Sequence, residues 1–426
     1  MRVGFRHMPL APGKLESFSD GYTGRMNGSL PPRIYLDNAA TSHPKAPVVA
    51  DAMSTWLDGI PASPGRGAYE EVHQASAILK SCRQNLCTLI NADDPDQVVF
   101  TLNCTDALST AIIGLCRNRL RQYGTCHVVT TDMDHNSVLR PLNSLASEGV
   151  QTTYVSADPQ TGLISPDDVS QALTSDTALV VINHGSNVCG TVQPLAEIGA
   201  RCRSANIPLL VDAAQTFGHR HLDVESMGID LLAFPGHKGL LGPLGTGGLW
   251  MRHHMVKHVD PVRLGGTGSR SELERQPEEM PDRYESGSHN MLGITGLEAA
   301  TSWICEFGMD RLLQEDHRRT DMLLEGLLRI DGLDIIGPSE PTLRCGVFAL
   351  RGPFPPHRFA EVLETKHGIL GRAGLHCAPR AHRTLGTLEA GGTLRVSIGP
   401  LTPEWHIDAL LEALTTECCG RVTVTA

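Results

Sequence analysis

The 426-residue sequence has no apolar run approaching the ~18 residues of a membrane-spanning helix. Its opening, Met1 to Pro32, lacks the continuous apolar core of a secretory signal peptide. Its 12 cysteines include no CxxC pair and no paired metal-ligand spacing. In a chain this long, that pattern points to a reducing compartment rather than a disulfide framework. Basic charge is scarce as well. Lys and Arg number 36 against 47 Asp and Glu, a formal net charge of −11. A nucleic-acid binder would want a basic face, so that partner class is excluded. No internal repeat or low-complexity segment is present. The expectation is a soluble, cytoplasmic protein with no membrane or nucleic-acid partner and no metal site.

What the sequence does contain is a globular composition, 41% hydrophobic and 19% charged. The length exceeds one ordinary core, so two domains are expected. Residues 1–33 read as an N-terminal extension. Apolar, β-rich runs then predict strands at Val98–Leu102, His127–Thr131, Thr152–Ser156, Ala178–Asn183, Ile207–Asp212, Leu231–Phe234 and Gly247–Met251. Helical patterns alternate with several of them. Ser165-Pro166-Asp167-Asp168 offers an N-cap, a first-turn proline and acids where the helix dipole favours them. This rhythm predicts an α/β fold with a mostly parallel sheet covered by helices. Beyond about residue 300 the pattern changes to helix (Leu312–Ile330), strand (Gly346–Leu350), helix (His357–Lys366), strand (Thr393–Ile398) and a last helix from Thr402, a smaller α+β domain.

The chemistry-bearing residues fall at the ends of the predicted strands. Lys238 follows Leu231–Phe234, and Asp212 closes Ile207–Asp212. A lysine for a Schiff base and an aspartate for a pyridinium nitrogen are the two groups that pyridoxal phosphate requires of a protein. Gln215 is placed to meet the ring's phenolic oxygen. His135, after His127–Thr131, is placed to stack on the ring and relay a proton. Asn103-Cys104-Thr105 opens a helix after Val98–Leu102, where backbone N–H groups and hydroxyls suit a phosphate. Gly265-Gly266-Thr267-Gly268 is a second such candidate. Arg395, on a strand of the smaller domain, suits a substrate carboxylate. Ligands in open parallel sheets bind at the carboxyl ends of strands.

Ordered stretches carry a resemblance over nearly the whole chain. They are Ile34-Tyr35-Leu36-Asp37-Asn38-Ala39-Ala40-Thr41, Ser63-Pro64-Gly65-Arg66-Gly67-Ala68, Asp134-His135-Asn136-Ser137, and the run from Asn183 to Thr191. Val211-Asp212-Ala213-Ala214-Gln215, Gly236-His237-Lys238, Tyr284 to Asn290, and Arg372-Ala373-Gly374-Leu375-His376-Cys377-Ala378 complete the set. With these the sequence resembles the cysteine desulfurases and selenocysteine-lyase-like enzymes, in the class V aminotransferase group of fold-type I pyridoxal-phosphate enzymes.

The resemblance implies a large cofactor-binding domain over 51–300 and a small domain formed by 34–50 and 301–426. It implies Lys238 as the Schiff-base lysine, Asp212 as the ring-nitrogen partner and His135 on the ring. It places Gln215 and Asn187 at the ring oxygen and the substrate side, and Cys104, Thr105 and His237 around the phosphate. Arg395 is implied to bind the substrate carboxylate, with Arg372 near the reactive loop, and Cys377 to carry a persulfide.

The family is dimeric with its site at the subunit interface, so Thr267 is expected to reach the partner subunit's phosphate. His376 or Arg372 is expected to help ionise Cys377. The implied reaction turns L-cysteine into L-alanine and hands the sulfur, through Cys377, to an acceptor protein. Selenocysteine lyase, aminotransferase, epimerase and C–S lyase reactions remain alternatives. One departure stands out. Many relatives carry a phosphate-binding serine where this chain has Pro235, a loss on the order of 1.5–3 kcal/mol if nothing replaces it.

Overall fold

The computed structural model describes residues 33–65 and 67–419. Of the extension expected over 1–33, Arg33 alone falls within them, pairing with Glu364 at 2.8 Å. After a two-residue strand, β1 (Ile34–Tyr35), the large sheet is built from β2 (Val98–Thr101), β3 (Cys126–Thr131), β4 (Val150–Val155), β5 (Thr177–Asn183), β6 (Leu209–Asp212), β7 (Leu231–Pro235) and β8 (Gly247–Met251). Their order is β2-β8-β7-β6-β5-β3-β4. All neighbouring pairs are parallel except those made by β8, which runs antiparallel to both β7 and β2.

The inner strands read as near-continuous apolar runs because both faces are covered, whereas β4, at the sheet edge, is polar and partly exposed. On one face Val98, Phe100, Val180, Ile182, Leu209, Val211, Leu232 and Phe234 share a core cluster. On the other, Val99, Val128, Leu179, Val181, Leu210 and Leu231 form a second one. The seven predicted strands are all present, with ends shifted by a residue or two. β6 begins at Leu209 rather than Ile207 because Pro208 has no N–H to give the ladder.

The helices are α1 (Val49–Asp58), α2 (Glu70–Leu89), α3 (Cys104–Tyr123), α4 (Asn136–Leu145), α5 (Pro166–Gln171), α6 (Leu195–Ser204), α7 (Met291–Phe307), α8 (Met309–Leu327), α9 (Pro356–His367), α10 (Pro379–Thr384) and α11 (Glu404–Cys419). The Ser165 hydroxyl caps α5 by accepting from the Asp168 N–H, as the sequence predicts. α7 was not anticipated, and Gly308, at φ +93°, separates it from α8.

A second, antiparallel sheet has the order β12-β13-β10-β9, built from β9 (Asp334–Ile336), β10 (Val347–Arg351), β12 (Arg372–Gly374) and β13 (Thr393–Ser397). β1 pairs instead with β11 (Ile369–Leu370). The start of the described chain is thereby tied to the C-terminal third.

Candidate active site

The carboxyl ends of β2, β3, β5, β6 and β7 converge on a cavity of about 370 Å³. Cys104, Thr105, His135, Asn187, Asp212, Gln215, His237, Lys238, Arg372, Cys377 and Arg395 all line it. Of the residues expected in the site, only Thr267 lies elsewhere, in a loop where its hydroxyl contacts the Ser269 hydroxyl at 3.1 Å. Pro235 also lines the cavity.

Lys238 sits on the turn after β7. Protein surrounds it closely enough that burial holds its ammonium below the ordinary lysine range, partly offset by Cys104 and Asp212. A lysine so placed is a better nucleophile at neutral pH than a solvated one. Asp212, only 2% exposed, accepts through Oδ1 from the Ala214 N–H at 2.9 Å and the Cys104 thiol at 3.4 Å. The thiol of Cys104 therefore faces the aspartate, while its backbone opens α3. Burial, reinforced by Asp212, pushes that thiol well above its usual range, so it acts as a neutral donor. The Gln215 amide donates to the Ala39 carbonyl at 3.0 Å.

His135 is the N-cap of α4. Its Nδ1 accepts the Ser137 N–H at 3.1 Å. Burial keeps its ring below the ordinary range, with Asp212 working in the opposite direction. The Ser137 hydroxyl lies 2.9 Å from the same Nδ1 and 2.7 Å from the Thr105 hydroxyl. Just before His135, the buried Asp134 folds its carboxylate back onto β3. Oδ2 accepts from the Thr131 N–H and from the hydroxyls of Thr130 and Thr131.

At the opposite end, Arg372 and Arg395 are brought together by the pairing of β12 with β13. The Asp37 carboxylate bridges them. Oδ1 accepts from Arg395 at 2.9 Å, and Oδ2 accepts from Arg372 at 2.8 and 3.0 Å. Arg395 also donates to the Asn187 carbonyl at 3.0 Å, while its buried Nε–H has no partner among the described residues. Asn187 donates to the His376 carbonyl at 2.6 Å and leaves its own buried Oδ1 unpartnered.

Cys377 is exposed at the cavity, and both it and His376 adopt left-handed backbone, at φ +58° and +48°. The turn is pinned from the large sheet. The Asn136 N–H donates to the Cys377 carbonyl at 2.8 Å, and Asn187 holds the His376 carbonyl. One expectation is corrected here. His376 cannot supply a cation to the thiol, because burial, with Arg395 and His382 nearby, drives its ring down to about 2. Arg372 is the cation within electrostatic reach of Cys377, and its hydrogen bonds to Asp37 keep it charged.

Sequence reasoning assigned no role to Asp37, Asp134 or Ser137, although all three lie inside quoted stretches. Their partners range from 2 to 358 positions away, and spacing alone does not reveal them. Among the described residues no cluster of His, Cys, Asp and Glu has metal-binding geometry. No described helix is long and apolar enough to cross a membrane.

Comparison with known proteins agrees with this geometry. The family model described as Aminotransferase class-V matches residues 34–410. A probable cysteine desulfurase from Methanothermobacter thermautotrophicus is 35% identical over 385 residues, covering 89% of this chain and 94% of that protein. A probable cysteine desulfurase from Streptomyces coelicolor is 30% identical over 389 residues, covering 89% and 91%. The apo structure of a cysteine desulfurase from Thermococcus onnurineus superposes with a TM-score of 0.83 at 28% identity, covering 91% of this chain and 95% of that one. The chain belongs to the class V aminotransferase family, in its cysteine desulfurase branch.

Proposed function

We propose that the protein is a pyridoxal-phosphate-dependent cysteine desulfurase that converts L-cysteine to L-alanine and passes the sulfur from Cys377 to an acceptor protein. The observation that carries this reading is one cavity that gathers Lys238, Asp212, a cavity-facing thiol at Cys377 and the buried Arg395. The fit to cofactor and substrate rests on polar atoms that lack partners among the described residues. The Arg395 Nε–H, the Asn187 Oδ1 and the His237 Nδ1 are all buried and unpaired, on residues that line the cavity. Orphaned groups of this kind are costly unless a ligand satisfies them.

Lys238 would hold the cofactor covalently, Asp212 would keep its ring nitrogen protonated, and His135 would cover the ring face. Thr105, with the first N–H groups of α3, would take the phosphate. Pyridoxal phosphate bound there would supply an electron sink for charge at the substrate Cα.

Arg395 orients the substrate carboxylate through its free Nε–H. The Lys238 amine would take the Cα proton. The Cys377 thiolate attacks the substrate sulfur, so an S–S bond forms as the sulfur–Cβ bond breaks. The electron pair stays with the carbon fragment, which takes up protons and leaves as alanine. An acceptor thiolate then removes the outer sulfur and regenerates Cys377.

The working unit in this proposal is a cytoplasmic homodimer in which Thr267 reaches the partner subunit's phosphate. The division into 51–300 and 34–50 with 301–426 is supported by the two separate sheets and by the β1–β11 pairing.

The test is release of alanine and sulfide from L-cysteine in the presence of a reductant, comparing wild type with Cys377→Ala. Both products are expected from wild type. Neither is expected from the variant, although it keeps its yellow cofactor. Equal turnover by the two proteins would remove Cys377 from the mechanism and favour another reaction on the same frame.

A further inference from the structure

Three hydrogen-bonding groups stand in a row on the cavity wall: His135 Nδ1, the Ser137 hydroxyl and the Thr105 hydroxyl, spaced 2.9 and 2.7 Å apart. They join two helix starts, because Thr105 lies in the first turn of α3 and Ser137 in the first turn of α4. Ser137 is 8% exposed, whereas the Thr105 side chain is open to the cavity.

The protons in this row can be assigned. The Ser137 backbone N–H donates to His135 Nδ1, so Nδ1 carries a lone pair and the neutral ring has its proton on Nε2. Nδ1 is then already satisfied without the Ser137 hydroxyl. That hydroxyl has one proton and two acceptors in range. When it points to Nδ1, the Thr105 proton must fill the 2.7 Å contact, and Thr105 offers only lone pairs to the cavity. When it points to Thr105, the Thr105 proton is free to donate into the cavity. An anion beside Thr105 selects the second arrangement.

We propose that Ser137 is a positioning residue for the cofactor phosphate, acting through Thr105: by donating to the Thr105 oxygen it stops that hydroxyl from rotating freely and aims its proton into the cavity. This rests on the cofactor reading above. It also addresses a deficit in this chain. Pro235 contributes no hydroxyl at the position where a serine would otherwise bind phosphate, and the Ser137–Thr105 pair supplies a donor from the starts of α3 and α4. The same rotation links phosphate occupancy to His135, which loses one of its two Nδ1 contacts when the site fills.

The experiment titrates the cofactor-free protein with pyridoxal 5′-phosphate and, separately, with pyridoxal, following the absorbance of the lysine-bound chromophore. Ser137→Ala leaves the Thr105 hydroxyl unaimed and is expected to weaken binding of the phosphorylated compound about fivefold, in the range for a neutral hydrogen bond. Affinity for pyridoxal should change less than about twofold, a difference too small to mark a lost hydrogen bond. The double variant Ser137→Ala with Thr105→Val is expected to bind no more weakly than Thr105→Val alone, because Ser137 acts through Thr105. If the alanine variant does not fold, Ser137→Cys, similar in volume but a weak donor, reads the same loss.

Equal weakening towards both compounds, or no weakening at all, overturns the proposal, since a merely structural serine cannot discriminate a phosphate. Absence of any chromophore in wild type sinks the cofactor reading instead, and the role of Ser137 falls with it.

Discussion

Arg372 and Arg395 stand directly opposite each other on paired antiparallel strands and share a single carboxylate, that of Asp37. Like charges at such a position repel, so Asp37 is what permits the pair. The two arginines differ in burial, with side chains 53% and 4% exposed. The buried one keeps an Nε–H without a partner among the described residues, and the open one lies within electrostatic reach of the Cys377 thiol.

Arg395→Lys is expected to raise KM for L-cysteine by about tenfold or more, because a lysine cannot hold Asp37 and a substrate carboxylate in one planar fork. Cysteamine, which lacks the carboxylate, provides the control. Its turnover, however slow, should respond little to the substitution. A comparable loss for both compounds would place Arg395 in the scaffold rather than in substrate recognition.

Asp134 predicts a pH dependence of stability. Burial raises its carboxyl from 3.8 to about 7, against the pull of its Thr131 and Thr130 hydrogen bonds. The folded chain therefore holds this proton more tightly than the unfolded one. The stabilisation is complete below pH 3.8 and is lost as the pH rises through 7. The loss is on the order of 4 kcal/mol. Asp134→Asn removes this titration, so the gap in urea-unfolding free energy should move in favour of the variant between pH 4 and 7. A constant gap across that window would show that Asp134 stays ionised.

Glu285 is the second buried acid with a specific consequence. It pairs with Arg83 at 2.6 Å and His289 at 2.7 Å, and it accepts the Phe100 N–H at 2.6 Å. Burial alone would raise its carboxyl, but Arg83 and His289 outweigh that and hold it below the usual range. Glu285→Ala leaves Arg83 buried without its partner and should cost about 3–5 kcal/mol in chemical denaturation. Glu285→Gln, which still accepts from Phe100, should cost less. Equal losses would show that the charge of Glu285 towards Arg83 and His289, rather than the backbone contact, carries the stabilisation.

The large sheet was legible in the sequence because its strands are buried on both sides. Several are apolar runs that end at residues lining the cavity: Asp212 closes β6, and Lys238 follows β7. The same feature made the candidate site residues legible, since the cavity lies where those runs stop. Short strands were not legible. β11 spans two residues and β12 three, Gly371 separates them and Gly374 ends β12, so no period of two can establish itself. α7 was hidden by a sequence apolar almost throughout, which gives no helical stripe to recognise.

The misjudged residue, His376, shows a different limit. A histidine beside a reactive cysteine reads as a cation on sequence proximity. Its left-handed backbone turns the ring inward instead, where Nε2 lies 3.2 Å from the Thr393 carbonyl. Asp37 was hidden for the opposite reason. It is separated from Arg395 by 358 positions, and only the docking of the first described segment against β13 brings them together.

The turn that carries Cys377 follows the small sheet's β12, yet its main chain is fastened to the start of α4 and to Asn187 on the large sheet's side. In the proposed reaction, a sulfur carried on Cys377 would have no tether to pay out. It cannot travel to a distant recipient as cargo on a swinging arm would. Delivery must be a visit: the recipient's own nucleophile has to extend into the cavity mouth. The depth of that mouth, rather than any excursion of the turn, then becomes the gauge that decides which recipients are served.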